Sequence, residues 1–329
     1  MFPNLGEFNF IQALLKGSAD FKKEPPATRG WLGVGDDCAQ FDGWLVTKDL
    51  SVEGTHFRLD WSTPEQAVEK HIVSNVSDIN SMGGTPRLAV LGLCINKNWS
   101  EETRTRVQAA LSQGFAKRGI ALIGGDTVAG DVGMFSTTLL GTLAGGRPLL
   151  RSAVKPGDTL YVNGTLGKSG AGLWLLLNHP EAVDEFPTLV EYHLAPKICE
   201  SAGAELLRLG AFGACMDISD GLSSELNHLA LSSRVNLQII ENKLPIDPEV
   251  LRLCAKFGQN PLNFALNGGE EYHLLFANSS PKSIFKENTQ LGGVCEIGFA
   301  VEKTAGDPVS MLCKNGEKLP VSPRAWSHL

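Results

Sequence analysis

The chain predicts an α/β protein built from two domains, on three observations. Its 329 residues suit one large or two medium domains. Short apolar runs that read as buried strands alternate with segments of helical spacing. In both halves these strands end in glycine and a carboxylate and lead into a helix, although no clean sequence repeat is present. The turn Lys155-Pro156-Gly157-Asp158 marks the boundary, giving domains of 1–150 and 151–329.

Composition narrows the function. Apolar residues make up 43% and charged residues 20%, as in a globular protein with a substantial core. The formal net charge is −7 and no run rich in Lys or Arg occurs, which argues against a nucleic-acid groove or an anionic membrane surface as partner. Positive charge for an anionic ligand must then come locally or from metal ions. The seven cysteines are scattered and form no Cys-x-x-Cys, so neither a disulfide framework nor a structural zinc site is expected and a cytoplasmic location fits best. Glu7 precedes any apolar run, so no signal peptide is read, and no apolar run reaches membrane-spanning length.

In chain order, residues 7–15 have helical spacing, and the polar segment 18–30, with Pro25-Pro26, reads as a loop. Gly33-Val34-Gly35-Asp36-Asp37 follows, a glycine turn carrying two carboxylates. Gly43-Trp44-Leu45-Val46 reads as a strand that delivers Thr47 and Asp49 to one face and Lys48 to the other. Clustered hard oxygens of this kind suit Mg²⁺. Thr63, Pro64 and Gln66 form a capping box that opens a helix to about Met82, stopped by Gly83-Gly84. Asn75 and Asp78, three apart, share one of its faces. Leu88–Ile95 reads as a buried strand, and Ser100 caps a helix to about Lys117. Ile120–Ile123 reads as a short buried strand running into a glycine turn, Gly124-Gly125-Asp126-Thr127, and Met134–Ala144 as a long strand. Arg147 and Arg151 form a basic patch.

The second half opens with the strand 158–162. Gly164-Thr165-Leu166-Gly167-Lys168-Ser169 resembles a P-loop only superficially: Val162 stands where that motif needs glycine, so a glycine turn opening a helix over 170–178 is the reading. Residues 188–210 read as helical, with Pro196 starting a second segment. A strand ends at Asp217, and Asp217 and Asp220 are expected to converge where the helix 222–231 begins. Strand 235–240 and helix 248–257, stopped by Gly258, come next. Gly268-Gly269-Glu270-Glu271 then turns into a strand from Tyr272.

Taken in order, Gly-Asp-Asp at 35–37, Thr-x-Asp at 47–49, Glu-Gly-x-His-Phe at 53–57, Ser-Asp-Ile-x-x-Met-Gly at 77–83, Gly-Gly-Asp-Thr at 124–127, Asp-Ile-Ser-Asp-Gly-Leu at 217–222 and Gly-Gly-Glu-Glu-Tyr at 268–272 resemble the thiamine-monophosphate kinase family. The likeness runs from about Gly33 to Trp326. It implies two α/β domains of the aminoimidazole ribonucleotide synthetase-like fold, the N-terminal one binding ATP and Mg²⁺ and pairing in a homodimer. It implies ATP-dependent phosphorylation of thiamine monophosphate to thiamine diphosphate, the final step of thiamine diphosphate biosynthesis, with several Mg²⁺ ions. By the same resemblance Asp37, Thr47, Asp49, Asp78, Asp126, Asp217 and Asp220 would ligate metal. Of these, Asp49, Asp126 and Asp217 would be central to catalysis. Gly125, Asp126, Arg151 and Ser219 would contact ATP, and His56, Glu270 and Trp326 the thiamine monophosphate.

Two positions depart from the family pattern. Lys48 replaces the usual Thr: its ammonium would either stand in for a metal ion, the favoured outcome, or point away. His273 replaces an acidic residue, with less expected consequence. Among competing readings, selenophosphate synthetases carry a reactive Cys or selenocysteine in an N-terminal glycine-rich segment, whereas this chain has no Cys before Cys38. The hydrogenase-maturation relative ends in a functional Cys, whereas this chain ends in Ser-His-Leu.

Overall fold

Asp42 and Gly43 both adopt left-handed backbone, φ 50° and 80°, and so close a two-residue hairpin between β1 (Ala39–Phe41) and β2 (Trp44–Val52). The computed structural model to which these elements belong describes residues 30–143, 147–279, 285 and 288–323; the helix expected at 7–15 and Trp326 lie outside them. Along β2, Leu45, Thr47 and Ser51 are buried while Lys48 and Leu50 are exposed, the alternation the sequence predicts.

Helix α1 (Pro64–Ser81) covers the buried face. Its capping box is formed: Thr63 Oγ1 accepts from the Gln66 amide at 3.2 Å, and Gln66 Oε1 accepts from the Thr63 amide at 2.9 Å. Val68, Ile72, Val76 and Ile79 pack against Leu45, Phe135 and Leu139. The chain then enters β3 (Gly84–Asn96), α2 (Glu101–Ala116), β4 (Ala121–Gly130) and β5 (Met134–Leu143). The five strands lie in the order β1-β2-β5-β3-β4, and only β3 and β4 run parallel. β3 starts before the apolar run because a register shift between Pro86 and Leu88 accommodates the proline.

β4 departs from expectation. It is ten residues long rather than a short buried strand, and it passes straight through Gly124-Gly125-Asp126 without turning. Among the described residues it pairs with β3 alone, so it is a sheet edge, and almost all of it is exposed. The glycines serve close backbone approach: a Cβ on Gly125 would fall 2.0 Å from the Leu91 carbonyl oxygen, beside a register shift between Ala89 and Val90.

The second sheet has seven strands in the order β12-β11-β8-β10-β6-β9-β7. In chain order its elements are β6 (Thr159–Asn163), α3 (Lys168–Asn178), α4 (Pro187–Leu194), α5 (Ala202–Arg208), β7 (Ala214–Asp217), α6 (Leu222–Ser233) and β8 (Asn236–Ile240). Then come α7 (Pro248–Phe257), α8 (Pro261–Asn267), β9 (Leu274–Asn278), β10 (Val294–Val301), β11 (Val309–Leu312) and β12 (Lys318–Pro320). Leu222, Leu226 and Leu229 of α6 pack on Leu160, Val162, Met216 and Leu275. On the other face, Leu206 of α5 packs on Tyr161 and Phe276. Pro196 starts no helix: α4 ends at Leu194, Ala195 is extended at φ −150°, and α5 begins only at Ala202. α8 is unanticipated, although Asn260 caps it by accepting from the Leu262 amide at 3.0 Å and Pro261 opens it.

The glycine turn at 164–169 is not a phosphate cradle. The amides of Gly167 and Ser169, at the N-terminus of α3, donate to Glu271 Oε1 at 2.9 and 3.0 Å. An internal carboxyl already holds the position an anion would take.

α1 also faces the second half of the chain. Asn80 Nδ2 donates to the Cys199 carbonyl at 3.0 Å, and the Gly203 amide donates to Asn80 Oδ1 at 2.9 Å. A Cβ on Gly203 would lie 1.7 Å from the Asn80 carbonyl oxygen. Gly203→Ala is therefore expected to destabilise the protein by about 3 kcal/mol, the upper range for overpacking; urea unfolding of the two proteins measures it.

Candidate active site

Three carboxylates meet where the two halves touch. Asp37, Asp78 and Asp217 each offer an oxygen within 4.8 Å of the others. They arrive from the loop after Gly35, from α1, and from the last residue of β7. Hydroxyls anchor all three: Ser81 Oγ donates to Asp37 Oδ2, Thr47 Oγ1 to Asp78 Oδ2, and Ser77 Oγ to Asp217 Oδ2. Arg151, in a 3₁₀ turn, donates from Nε to Asp37 Oδ1 at 2.8 Å and from its backbone amide to Asp36 Oδ1 at 3.0 Å.

One guanidinium does not balance this charge. Burial and then the neighbouring Asp37 push Asp217 up to about 8. Burial followed by the charges of Asp49, Asp217 and Asp37 holds Asp78 well above the carboxylate range. Burial raises Asp49 as well, and Asp36 to about 7. Like charges forced together in a partly dry site favour protonation unless cations compensate.

A cavity of about 970 Å³ adjoins the cluster. Asp49, Asp78, Asp217, Ser219 and Asp220 line it, as do His56, Lys70 and Glu270. Asp49 is fixed through its amide, which donates to Asn75 Oδ1 at 3.3 Å. Asp217 and Asp220 both reach the cavity, but only Asp217 joins the three-carboxylate cluster; the Asp220 amide donates to the buried Glu225 Oε1 at 3.0 Å. The Ser219 carbonyl accepts from the Glu270 amide at 2.6 Å. His56 Nδ1 accepts from the Val52 amide at 3.1 Å. Burial would raise Glu270, yet Lys70 Nζ at 2.7 Å and His193 hold it below its ordinary value. Leu173, Trp174 and Phe264 give the cavity an apolar wall.

Three of the expected residues stand apart from the acidic cluster. Gly125 and Asp126 do not line this cavity. Asp126 lies opposite Gly92 on the exposed edge strand, three strands from β2, roughly 14 Å at the usual strand spacing. Lys48 also lines the cavity, yet its ammonium donates to Ser136 Oγ at 2.7 Å, on the alternate face of β2, rather than to a carboxylate of the cluster. Strand alternation sets that direction and a neighbouring hydroxyl holds it. His273 is buried, lies 3.1 Å from the Tyr192 hydroxyl, and is held neutral by burial, with its value lowered to about 3.

Sequence reasoning missed Lys70, Trp174 and Phe264. Lys70, like Ser77 and Ser81, carries a signal in helical spacing. Lys70, Ser74 and Asp78 recur every four residues, as do Ser77 and Ser81, so α1 presents two polar stripes rather than one solvated face.

The chain also resembles known proteins over most of its length. Residues 35–143 match the AIR synthase related protein N-terminal domain and residues 155–303 its C-terminal domain. The chain is 36% identical over 280 residues to a thiamine-monophosphate kinase of Mycobacterium tuberculosis, covering 82% of this chain and 80% of that one. It is 32% identical over 330 residues to the thiamine-monophosphate kinase of Aquifex aeolicus, covering 98% of each. A solved structure of AaThiL complexed with AMPPCP and TMP superposes with a TM-score of 0.83 at 32% identity, covering 100% of this chain and 99% of that one. Two domain matches in series and relatives of this identity over most of the length show that the chain belongs to the thiamine-monophosphate kinase family.

Proposed function

We propose that the chain transfers the γ-phosphoryl group of ATP directly, in line, onto the phosphate of thiamine monophosphate. The observation that carries this reading is the cluster of Asp37, Asp78 and Asp217 beside a cavity lined by Asp49 and Asp220. It is supported by the relative that binds AMPPCP and TMP together. The raised carboxyls fit a divalent metal: they are hard oxygen ligands with a deficit of positive charge around them. Asp37, Asp78, Asp217 and Asp49 would hold Mg²⁺, with Thr47, Asp126 and Asp220 as the further ligands the family resemblance implies. When bound, the metal would neutralise phosphate charge.

The protein's own residues do the rest by positioning. The acceptor phosphate oxygen is ionised near neutral pH, so the transfer needs no general base. Arg151 steadies Asp37 and is assigned to the ATP phosphates, with Ser219 and, from the exposed edge, Gly125 and Asp126. His56 and Glu270 are assigned to thiamine monophosphate, with Trp326 stacking on its cationic ring. Residues 1–150 would supply most of the metal site, and 151–329 the remainder and much of the substrate wall. Pairing of two copies through β4 is supported by Leu122, Ile123 and Val128, exposed by 52, 57 and 54%. A cytoplasmic location is supported by seven free cysteines, and no helix among the described residues is long and apolar enough to cross a membrane.

The direct test is a coupled assay with thiamine monophosphate. ADP and thiamine diphosphate are expected in equal amounts, and turnover should cease on chelation; sustained turnover without divalent metal would overturn the metal assignment. Asp49→Asn should lower the rate more than tenfold, about 1.4 kcal/mol of barrier or more, with circular dichroism unchanged. The buried carboxyls also make a stability prediction. Because folding raises Asp217 from 3.8 to about 8, the metal-free protein should lose stability as pH climbs through that window. Chelated Asp217→Asn should therefore be more stable than chelated wild type at pH ~8, by about 1 kcal/mol or more, with the gap closing toward pH ~4. Melting curves at several pH values measure it.

A further inference from the structure

We infer that Lys70 is a positioning residue for thiamine monophosphate, acting through Glu270 and His56; the inference rests on the substrate reading above. The Lys70 side chain is only 7% exposed, and an ammonium this dry is costly unless its donors are used. It donates to Glu270 Oε2 at 2.7 Å and to the His56 carbonyl at 3.2 Å. These are the two described residues assigned to the substrate, one from each half of the chain and far apart in sequence. Lys70 is the group that ties them together.

The Glu270 backbone explains why a tie is needed. Its φ is 61°, a left-handed conformation that a glutamate keeps only when its surroundings hold it. Its amide is anchored to the Ser219 carbonyl at 2.6 Å. The side chain has no comparable backbone anchor. Lys70 from α1 directs it, with His193 Nδ1 from α4 at 3.5 Å as a weaker neighbour. His56 and Tyr272 also face it electrostatically.

The same helix links this pair to the acidic cluster. Lys70, Ser74 and Asp78 all line the cavity and recur at four-residue intervals on α1. The eight steps from Lys70 to Asp78 span about 12 Å of rigid helix. Asp78 stands with the carboxylates assigned to metal and phosphate, and Lys70 with the groups assigned to the thiamine moiety. α1 therefore gauges the separation between the reacting phosphate and the residues that grip the remainder of the substrate. Loss of Lys70 would free the Glu270 carboxylate to turn toward solvent or the acidic cluster, without touching the nucleotide.

The test is steady-state kinetics on Lys70→Met, Lys70→Gln, Lys70→Arg and Glu270→Gln, with melting curves for each. Lys70→Met should raise KM for thiamine monophosphate about tenfold, the usual effect of losing a charged hydrogen bond, while KM for ATP changes less than about twofold. Lys70→Arg should recover most of the loss. The double variant Lys70→Met with Glu270→Gln should lose clearly less than the sum of the two single losses, because both share the Lys70–Glu270 contact. Lys70→Gln, which loses the charge and the reach of the ammonium but keeps a polar head, serves the same comparison if the methionine variant does not fold. Equal effects on both substrates, additive losses in the double variant, or a folded Gln variant with wild-type KM would overturn the positioning role. If Glu270→Gln itself leaves KM for thiamine monophosphate unchanged, the substrate assignment of Glu270 fails. If Glu270→Gln raises it and the Lys70 variants do not, only the role of Lys70 fails.

Discussion

Three carboxylates within 4.8 Å of one another, faced among the described residues by a single arginine, are the constraint on which the rest of the structure depends. Left alone, such a cluster resists folding, because each charge is partly removed from water and repelled by its neighbours. The chain answers with hydroxyl donors on each carboxylate, from Thr47, Ser77 and Ser81, and with Arg151 on Asp37. These contacts orient the oxygens but leave the charge uncompensated. A site prepared in this way is stable in proportion to the cations it receives, so affinity for metal and for polyanionic ligands is built in at the expense of the empty protein.

Helix α1 reconciles that demand with the fold. It is packed on the first sheet through Val68, Ile72, Val76 and Ile79, yet Asn75, Ser77, Asn80 and Ser81 are buried as well. It thus belongs to two interfaces at once, apolar toward the first sheet and hydrogen-bonded toward the second half of the chain. Asn80 illustrates the arrangement: its amide group both donates to Cys199 and accepts from Gly203, and the absent side chain of Gly203 lets the backbones meet. Because both halves are referenced to one helix, carboxylates from distant parts of the sequence reach the same place.

Much of this was legible in the sequence. The capping box at Thr63–Gln66, the stop of α7 at Gly258 and the facing of Thr47 and Asp49 follow from local rules, and the structure has each of them. The order of the acidic motifs identified the family. The failures have physical causes. Glycine permits a turn and also permits close approach of two strands; at Gly124-Gly125 the sequence suggests the first and the structure uses the second. Ile120–Ile123 looks buried by composition, but burial depends on what covers an edge, which no local pattern states. Alternation alone placed Lys48 correctly; the expectation that it would curl back set that rule aside, and Ser136 holds it on the far face. The pairing of Lys70 with Glu270, across most of the chain, has no local signature at all.

The carboxyl of Glu271 at the start of α3 has a consequence for ligand design. Its Oε1 takes the amides of Gly167 and Ser169, and its Oε2 has no hydrogen-bond partner among the described residues. A glycine turn that elsewhere would attract a sulfonate or phosphonate warhead is, in this protein, plugged from within. Inhibitors drawn from scaffolds that exploit such turns would meet an oxygen where they expect donors. Selectivity against that large group of nucleotide-binding proteins is therefore a property of the scaffold itself, and chemistry aimed at this cavity gains more from cationic and chelating groups than from additional anions.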